Sequence, residues 1–348
     1  MCSKIKAVPK NRGPLFLIGK TFSKILEEMK MKKIVSILMV LAMVLCMASC
    51  SGEPAAEGAY TVGICQLVQH EALDAATQGF KDALSEKLGD DVAFVEHNAS
   101  GDAATCVTIC NQLVAEGVDL MMGNATAALQ AAAAASAEIP VVGTSITDYA
   151  TALEIEGWTG KTGSNITGTA DLAPLDQQAA MIQELFPDAK TVGILYCSAE
   201  PNSVYQSDVI TGYLKDMGYA VEVFTFADSN DVANVTTAAC AAADVLYIPT
   251  DNTAASCTET IANVAIPAGK AIVAGEAGIC GGCGVATLSI DYYDIGYAAG
   301  EMAYEILVNG ANPGDMEIQY APEVQKLYNE ANCTALGIEV PEGYAPLG

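Results

Sequence analysis

Two stretches of the chain place hydroxyl and amide side chains where a buried strand turns into a helix. The first reads Asp119-Leu120-Met121-Met122-Gly123-Asn124-Ala125-Thr126 and runs into an alanine-rich segment. The second opens at Asp244 and Val245, turns through Pro249-Thr250-Asp251-Asn252-Thr253, and continues as Ala254-Ala255-Ser256. Asp119 and Asp244 stand 125 residues apart, and Thr126 and Thr253 stand 127 apart. At each turn the first backbone N–H groups of the helix have no partner inside it and carry the positive end of its dipole. A Thr or Asn in such a position usually does no more than cap its helix. Two such turns facing each other would make a polar cleft suited to an anion or a zwitterion, because open α/β sheets bind ligands outside the carboxyl ends of their strands.

The elements that must position these turns alternate strand and helix from Tyr60 onward. Tyr60 to Leu67 reads as a strand, 71 to 88 as a helix with Leu73, Ala76, Phe80, Ala83, Leu84 and Leu88 at helical spacing, and Val92 to Val95 as a strand. Asp102 is placed to cap a helix carrying Val107, Cys110 and Leu113. A fourth strand falls at Pro140 to Gly143. The pattern restarts at Thr191-Val192-Gly193-Ile194, matching Thr61-Val62-Gly63-Ile64, and repeats to Ala274, with one helix running to Ala265. This predicts an α/β fold of two doubly wound lobes with parallel sheets joined by a hinge. The expected boundaries are 60–165 with 291–315 for lobe 1, 166–290 for lobe 2, and a C-terminal segment 316–348. The Gly- and Thr-rich stretch Ser145 to Gly168 reads as the hinge. Asp291 is placed to cap a long helix, Ile295 to Val308, that returns to the first lobe.

Charge and leader narrow the class. Nine of the 16 basic residues lie before Cys50, leaving seven Lys, no Arg and a formal charge near −33 for the remainder. Such a surface repels phosphate backbones, which excludes nucleic acid as a partner. It also means that a ligand carboxylate cannot be held by a guanidinium fork, so helix starts and hydroxyls must do it. Lys30, Lys32 and Lys33 precede an apolar run from Ile34 to Leu45, and Met47-Ala48-Ser49 lead to Cys50. This is a secretory signal, and the cysteine after small residues resembles a bacterial lipobox, implying a lipid on Cys50. The run is shorter than the ~20 residues of a membrane span. Residues 1–29 fit no part of that leader, and translation is expected to start at Met29 or Met31. Residues 51–59 read as a flexible tether.

The chain over about residues 60–345 resembles the bacterial ABC-transporter substrate-binding lipoproteins of the tryptophan/tyrosine-type family, which have a type I periplasmic-binding-protein fold. The resemblance lies in Gln66 with His70, Leu73 and Asp74; Gly123 with Ala125, Thr126 and Ala128; Ile146-Thr147-Asp148; Asn165 with Thr167 and Gly168; Tyr196 with Glu200, Asn202 and Ser203; Pro249 with Asp251-Asn252-Thr253 and Ser256; and Asp291-Tyr292-Tyr293 with Gly296, Ala299 and Gly300. Where the family often has proline, this chain has Glu71, Ala127 and Tyr149, a change that bears on the rigidity of the turns more than on the fold. The resemblance implies an extracytoplasmic, lipid-anchored, monomeric receptor, not an enzyme. It would need no cofactor or metal, and would bind a small zwitterion such as an aromatic amino acid and present it to an ABC permease and its ATPase.

An aromatic amino acid needs donors for its carboxylate, acceptors for its ammonium and a slot for its ring. The resemblance implies that Thr126, Thr147, Asn252 and Thr253 hold the carboxylate end. Asp148, Glu200, Asp251 and Glu276 are candidate ammonium acceptors, of which one or two can act. Gln66, His70, Ala127, Asn202, Ser203 and Asp291 complete the expected lining. Tyr149, Trp158, Tyr205 and Tyr292 are candidate stacking rings, although aromatic residues more often simply pack. His70 and His97 are the two histidines, and without a Gly-x-Ser-x-Gly elbow neither reads as part of a hydrolase triad. Nine cysteines follow Cys50, and Cys280-Gly-Gly-Cys283 has redox or metal spacing. A structural disulfide or two free thiols is the expected state, with a thiol-redox protein as the rival function. A receptor for a nucleobase, short peptide or sugar is the rival within the class.

Overall fold

The computed structural model describes residues 60–347. The signal segment, the expected start sites Met29 and Met31, Cys50 and the tether lie outside the described residues. Strand and helix alternate through β1 (Tyr60–Gln66), α1 (Glu71–Leu88), β2 (Val92–Asn98), α2 (Ala103–Glu116), β3 (Leu120–Asn124), α3 (Thr126–Ala135), β4 (Val141–Ile146), α4 (Tyr149–Ala152) and β5 (Ile166–Ala170). The second half holds α5 (Leu175–Leu185), β6 (Thr191–Cys197), α6 (Pro201–Asp216), β7 (Ala220–Phe226), α7 (Val232–Ala242), β8 (Val245–Ile248), α8 (Asn252–Ser256), α9 (Thr258–Ala265), β9 (Ile272–Ala274), α10 (Ala277–Gly282) and β10 (Ala286–Ser289). The chain ends with α11 (Tyr292–Leu307), β11 (Gln319–Tyr320), β12 (Gln325–Tyr328), α12 (Glu330–Leu336) and β13 (Ala345–Pro346).

The strands form two sheets, ordered β11-β5-β4-β3-β1-β2 and β13-β12-β10-β9-β8-β6-β7. Their pairings are parallel apart from antiparallel β10 and β12. Central strands β3, β4 and β8 are buried along their whole length, as parallel strands covered on both faces must be. Val62, Ile64, Phe80 and Ala299 share one core layer beneath the first sheet, while Cys65, Leu113, Leu129 and Tyr149 share the other. No described helix is long and apolar enough to cross a membrane.

The hinge expected at Ser145 to Gly168 is not where the chain changes lobes. That stretch contains the end of β4, α4 and the start of β5, and β5 pairs with β4 through Val141 with Ile166 and Gly143 with Gly168. Its glycine has a packing cause. Gly168 sits at φ 146°, and a Cβ there would overlap the Gly143 carbonyl and the Tyr149 hydroxyl. The crossings come after Ala170, at Ile290–Asp291, and between Tyr320 and Gln325. Ile166–Ala170 therefore belongs to the first sheet, and the segment after 316 gives strands to both sheets. The single helix expected to reach Ala265 breaks at Cys257 into α8 and α9.

Helix α11 returns to the first lobe and lies parallel to α1. Gly296 faces the Ala76 carbonyl, Gly300 faces the Phe80 carbonyl, and Gly79 faces the backbone of Tyr293 and Tyr297, so a side chain at any of these positions would strike main-chain atoms. Gly212, on the exposed side of α6, meets nothing within 4 Å of an added Cβ. Gly296→Ala is expected to destabilise the protein by about 1–3 kcal/mol through overpacking. Gly212→Ala is expected to stabilise it by about 0.5–1 kcal/mol through helix propensity. Urea unfolding of the two variants checks both signs.

Candidate functional site

The strand ends of the two lobes face each other, and each helix start between them is built differently. In the first lobe, β3 turns into α3 through Ala125, whose φ of 83° is unusual for a residue with a side chain, and no side chain caps the helix. Thr126 is the first helical residue, buried beside half-buried Ala127. The expectation that Thr126 and Thr253 occupy cap positions is therefore corrected: the cap residues are Ala125 and Asp251.

In the second lobe the helix start is already filled by an acid of the chain itself. Glu200 accepts from the Asn252 N–H at 3.0 Å and its Nδ2 at 2.7 Å, from the Thr253 N–H at 2.8 Å and hydroxyl at 2.7 Å, and from Asn202 Nδ2 at 3.1 Å. Asp251 accepts from Ala254 N, Cys197 N and the Ser203 hydroxyl, each at 2.7 Å. Burial, followed by the nearby Glu200 charge, pushes Asp251 up to about 8. These bonds engage Glu200, Asn202, Ser203, Asp251, Asn252 and Thr253 with one another. The physical reason is that two adjacent buried carboxylates consume the local donors.

Other sequence-derived residues divide between the cleft and its frame. Asp148 caps α4 through Thr151 N at 2.7 Å and is half-buried. Thr147 is buried and donates to Asp171 Oδ1 at 3.2 Å. Gln66 is buried, donates to exposed Asp74 at 2.7 Å and accepts from the buried Thr77 hydroxyl at 2.6 Å. Asp291 is exposed and caps α11 through Tyr293 N and Asp294 N. Glu276 is buried and caps α10 through Gly278 N at 2.6 Å and Ile279 N at 2.5 Å. Burial pushes it up to about 7, with Glu71 and Asp171 adding to the effect. It also lines a cavity of about 230 Å³ with Glu71, Ala72, Ser289, Tyr292 and Leu327. Of the aromatic residues, Tyr149 is packed in the core, Trp158 is half-buried against it, and Tyr292 donates to Asp171 Oδ2 at 2.9 Å. Tyr205 is half-buried near Asp148, whose charge, after burial, raises its hydroxyl pKa.

The lobes are in contact across the cleft. His70 Nε2 lies 3.2 Å from Asn252 Oδ1, and Gln206 Nε2 donates to the Thr147 hydroxyl at 3.4 Å. Burial lowers the His70 pKa, which favours the neutral ring. Gln206, also bound to the Thr250 carbonyl and N–H, was missed by sequence reasoning, although it lies one helical turn beyond Asn202. Asp171 was missed with the strand that precedes it. The nine described cysteines are free thiols. Burial raises both Cys280 and Cys283, the opposite of what thiolate reactivity requires.

Two parallel α/β lobes, joined by three crossings and closed over facing strand ends, define the type I periplasmic-binding-protein fold of solute receptors. The family description ABC transporter substrate binding protein matches residues 61–345, and the chain belongs to that family. It is 34% identical over 281 residues to the tyrosine-binding protein of Clostridioides difficile strain R20291, covering 80% of this chain and 81% of that protein. It is similar to the ABC domain from Streptococcus pneumonia in complex with L-Trp, with 34% identity, a TM-score of 0.78, and coverage of 81% of this chain and 96% of that one. It is also similar to a Clostridium difficile substrate binding protein with adhesive properties in its ligand-free, open structure, with 32% identity, a TM-score of 0.64, and coverage of 83% and 99%.

A raised carboxyl holds its proton more tightly in the folded than in the unfolded chain. The cost of ionising it is absent below its ordinary value and grows as pH rises toward the folded value. For Glu276 that window runs from 4.5 to about 7, and for Asp251 from 3.8 to about 8. The urea midpoint of the ligand-free protein is expected to fall from pH 5 to pH 8. Glu276→Gln should flatten that slope, removing a contribution on the order of 1–3 kcal/mol.

Proposed function

We propose that this chain is the receptor of an ABC importer for an aromatic amino acid, a binder rather than a catalyst. It would work as a monomer on the outer face of the membrane and pass its ligand to a permease driven by an ATPase. The observation that carries the reading is the asymmetry of the two helix starts. The α8 start is occupied by Glu200, while the α3 start has no capping side chain, opens with Thr126, and follows β3, whose neighbour β4 leads into Thr147 and Asp148. In a chain segment without arginine, a ligand carboxylate belongs at α3. Asn252 and His70, at the junction of the lobes, would close over the ligand, and Tyr205 offers a ring at the edge of the cleft. The tyrosine named for one relative and the L-Trp bound in another support the aromatic class.

A thermal-shift panel of amino acids, nucleosides, nucleobases, short peptides and sugars tests the reading. L-Tyr, L-Trp or L-Phe at about 100 times its Kd should raise Tm by roughly 5–10 °C, from about 2.7 kcal/mol of linkage. A shift with a sugar, short peptide or nucleobase and none with an aromatic amino acid would reject it. The lipobox-like leader supports anchoring through a lipid on Cys50. Cys50→Ser is expected to move the protein from the membrane fraction to the soluble fraction, and continued membrane recovery would reject the anchor.

A further inference from the structure

Four acids are deeply buried among the described residues: Asp171, Glu200, Asp251 and Glu276. A buried carboxylate is costly unless charged or strongly polar partners compensate it. Glu200 has the side-chain and backbone donors of Asn252 and Thr253 as well as Asn202. Asp251 and Glu276 each cap a helix and receive backbone N–H groups at its positive end. Asp171 is different. Its side chain accepts only two neutral hydroxyls, Thr147 at 3.2 Å and Tyr292 at 2.9 Å. The ion pairs of the described residues, made by Lys81, Lys87 and Lys326, lie on the surface and do not reach it.

Its place in the fold matters as much as its partners. Asp171 follows β5 at the first crossing between lobes, Tyr292 opens α11 at the second, and Thr147 lies at the end of β4. Thr147 also receives the bond from Gln206 of the other lobe. The Asp171 N–H is held by the Ile146 carbonyl at 3.1 Å. Beside Ile146 stands Ser145, at φ 57°, whose buried hydroxyl has no partner. The acid without a cation therefore lies where both lobes and two crossings meet, beside residues already placed at the cleft.

We propose that Asp171 is the ammonium acceptor of this receptor and sets its selectivity for amino acids over their deaminated counterparts. The inference rests on the amino-acid reading above. The ligand would supply the positive charge that the chain withholds, and closure would bury that charge against Asp171, while Thr147 and Tyr292 orient the carboxylate. Burial raises the free acid to about 6, consistent with a site whose compensating cation is not part of the chain.

Calorimetry on the full chain decides it. Kd is measured for L-tyrosine against 3-(4-hydroxyphenyl)propionate and for L-tryptophan against 3-indolepropionate. The wild type is expected to prefer the amino acids at least 100-fold. Asp171→Asn, nearly isosteric, should weaken the amino acids about 100-fold, leave the propionates within about threefold, and so abolish most of the preference. Equal weakening of both ligand types in Asp171→Asn would mark Asp171 as a structural hinge residue and overturn the proposal. If the Asn variant does not fold, Asp171→Ala is read by the same ratio. A wild type that binds no aromatic amino acid overturns the functional reading and this inference together, whereas binding with an unchanged preference in the variant overturns this inference alone.

Discussion

The structure depends on burying carboxylates in a body that has no guanidinium and few ammonium groups to neutralise them. The answer is the backbone. Glu200 sits at the start of α8, Asp251 caps the same helix from the other side, and Glu276 caps α10, so that oriented N–H groups stand in for cations. Each of these acids comes from a loop at a strand end, and two of them, Glu200 and Asp251, fix that loop to a neighbouring one. Glu200 ties the β6 loop to the β8 loop, and Asp251 returns the tie through Cys197 and Ser203. The strand ends of the second lobe are thereby set as one rigid polar surface before any ligand arrives.

The first lobe follows the opposite plan. Its strand ends carry hydroxyls and an uncapped helix start, with unusual backbone at Ala125 and Ser145 and an unpartnered Ser145 hydroxyl. One wall is saturated and the other is open to new bonds. Binding between two such walls needs little rearrangement on the saturated side, which reduces the ordering cost of association.

Most of the architecture was legible in the chain, because parallel strands covered on both faces appear as unbroken apolar runs such as Val141-Val142 and Val245-Leu246-Tyr247-Ile248. The β5 strand was not. Ile166-Thr167-Gly168-Thr169-Ala170 reads as a polar loop, yet the Thr169 hydroxyl bonds Thr144 and the Ile295 carbonyl and so can be buried. Missing that strand shifted the hinge and hid Asp171. The two turns around Thr126 and Thr253 could be read from composition. Occupancy of the second turn could not, since Glu200 lies 52 residues from Asn252 and meets it only in the fold.

The seam between α1 and α11 has a mechanical meaning. The two helices run parallel with main chains almost touching, so they cannot slide past each other without their glycines colliding with carbonyls. One begins beside His70 at the mouth between the lobes, and the other begins at the second crossing. Mouth and pivot are consequently parts of a single stiff block, and a small twist about Ile290 becomes a swing of His70 toward or away from Asn252, as a door handle follows its own hinge plate.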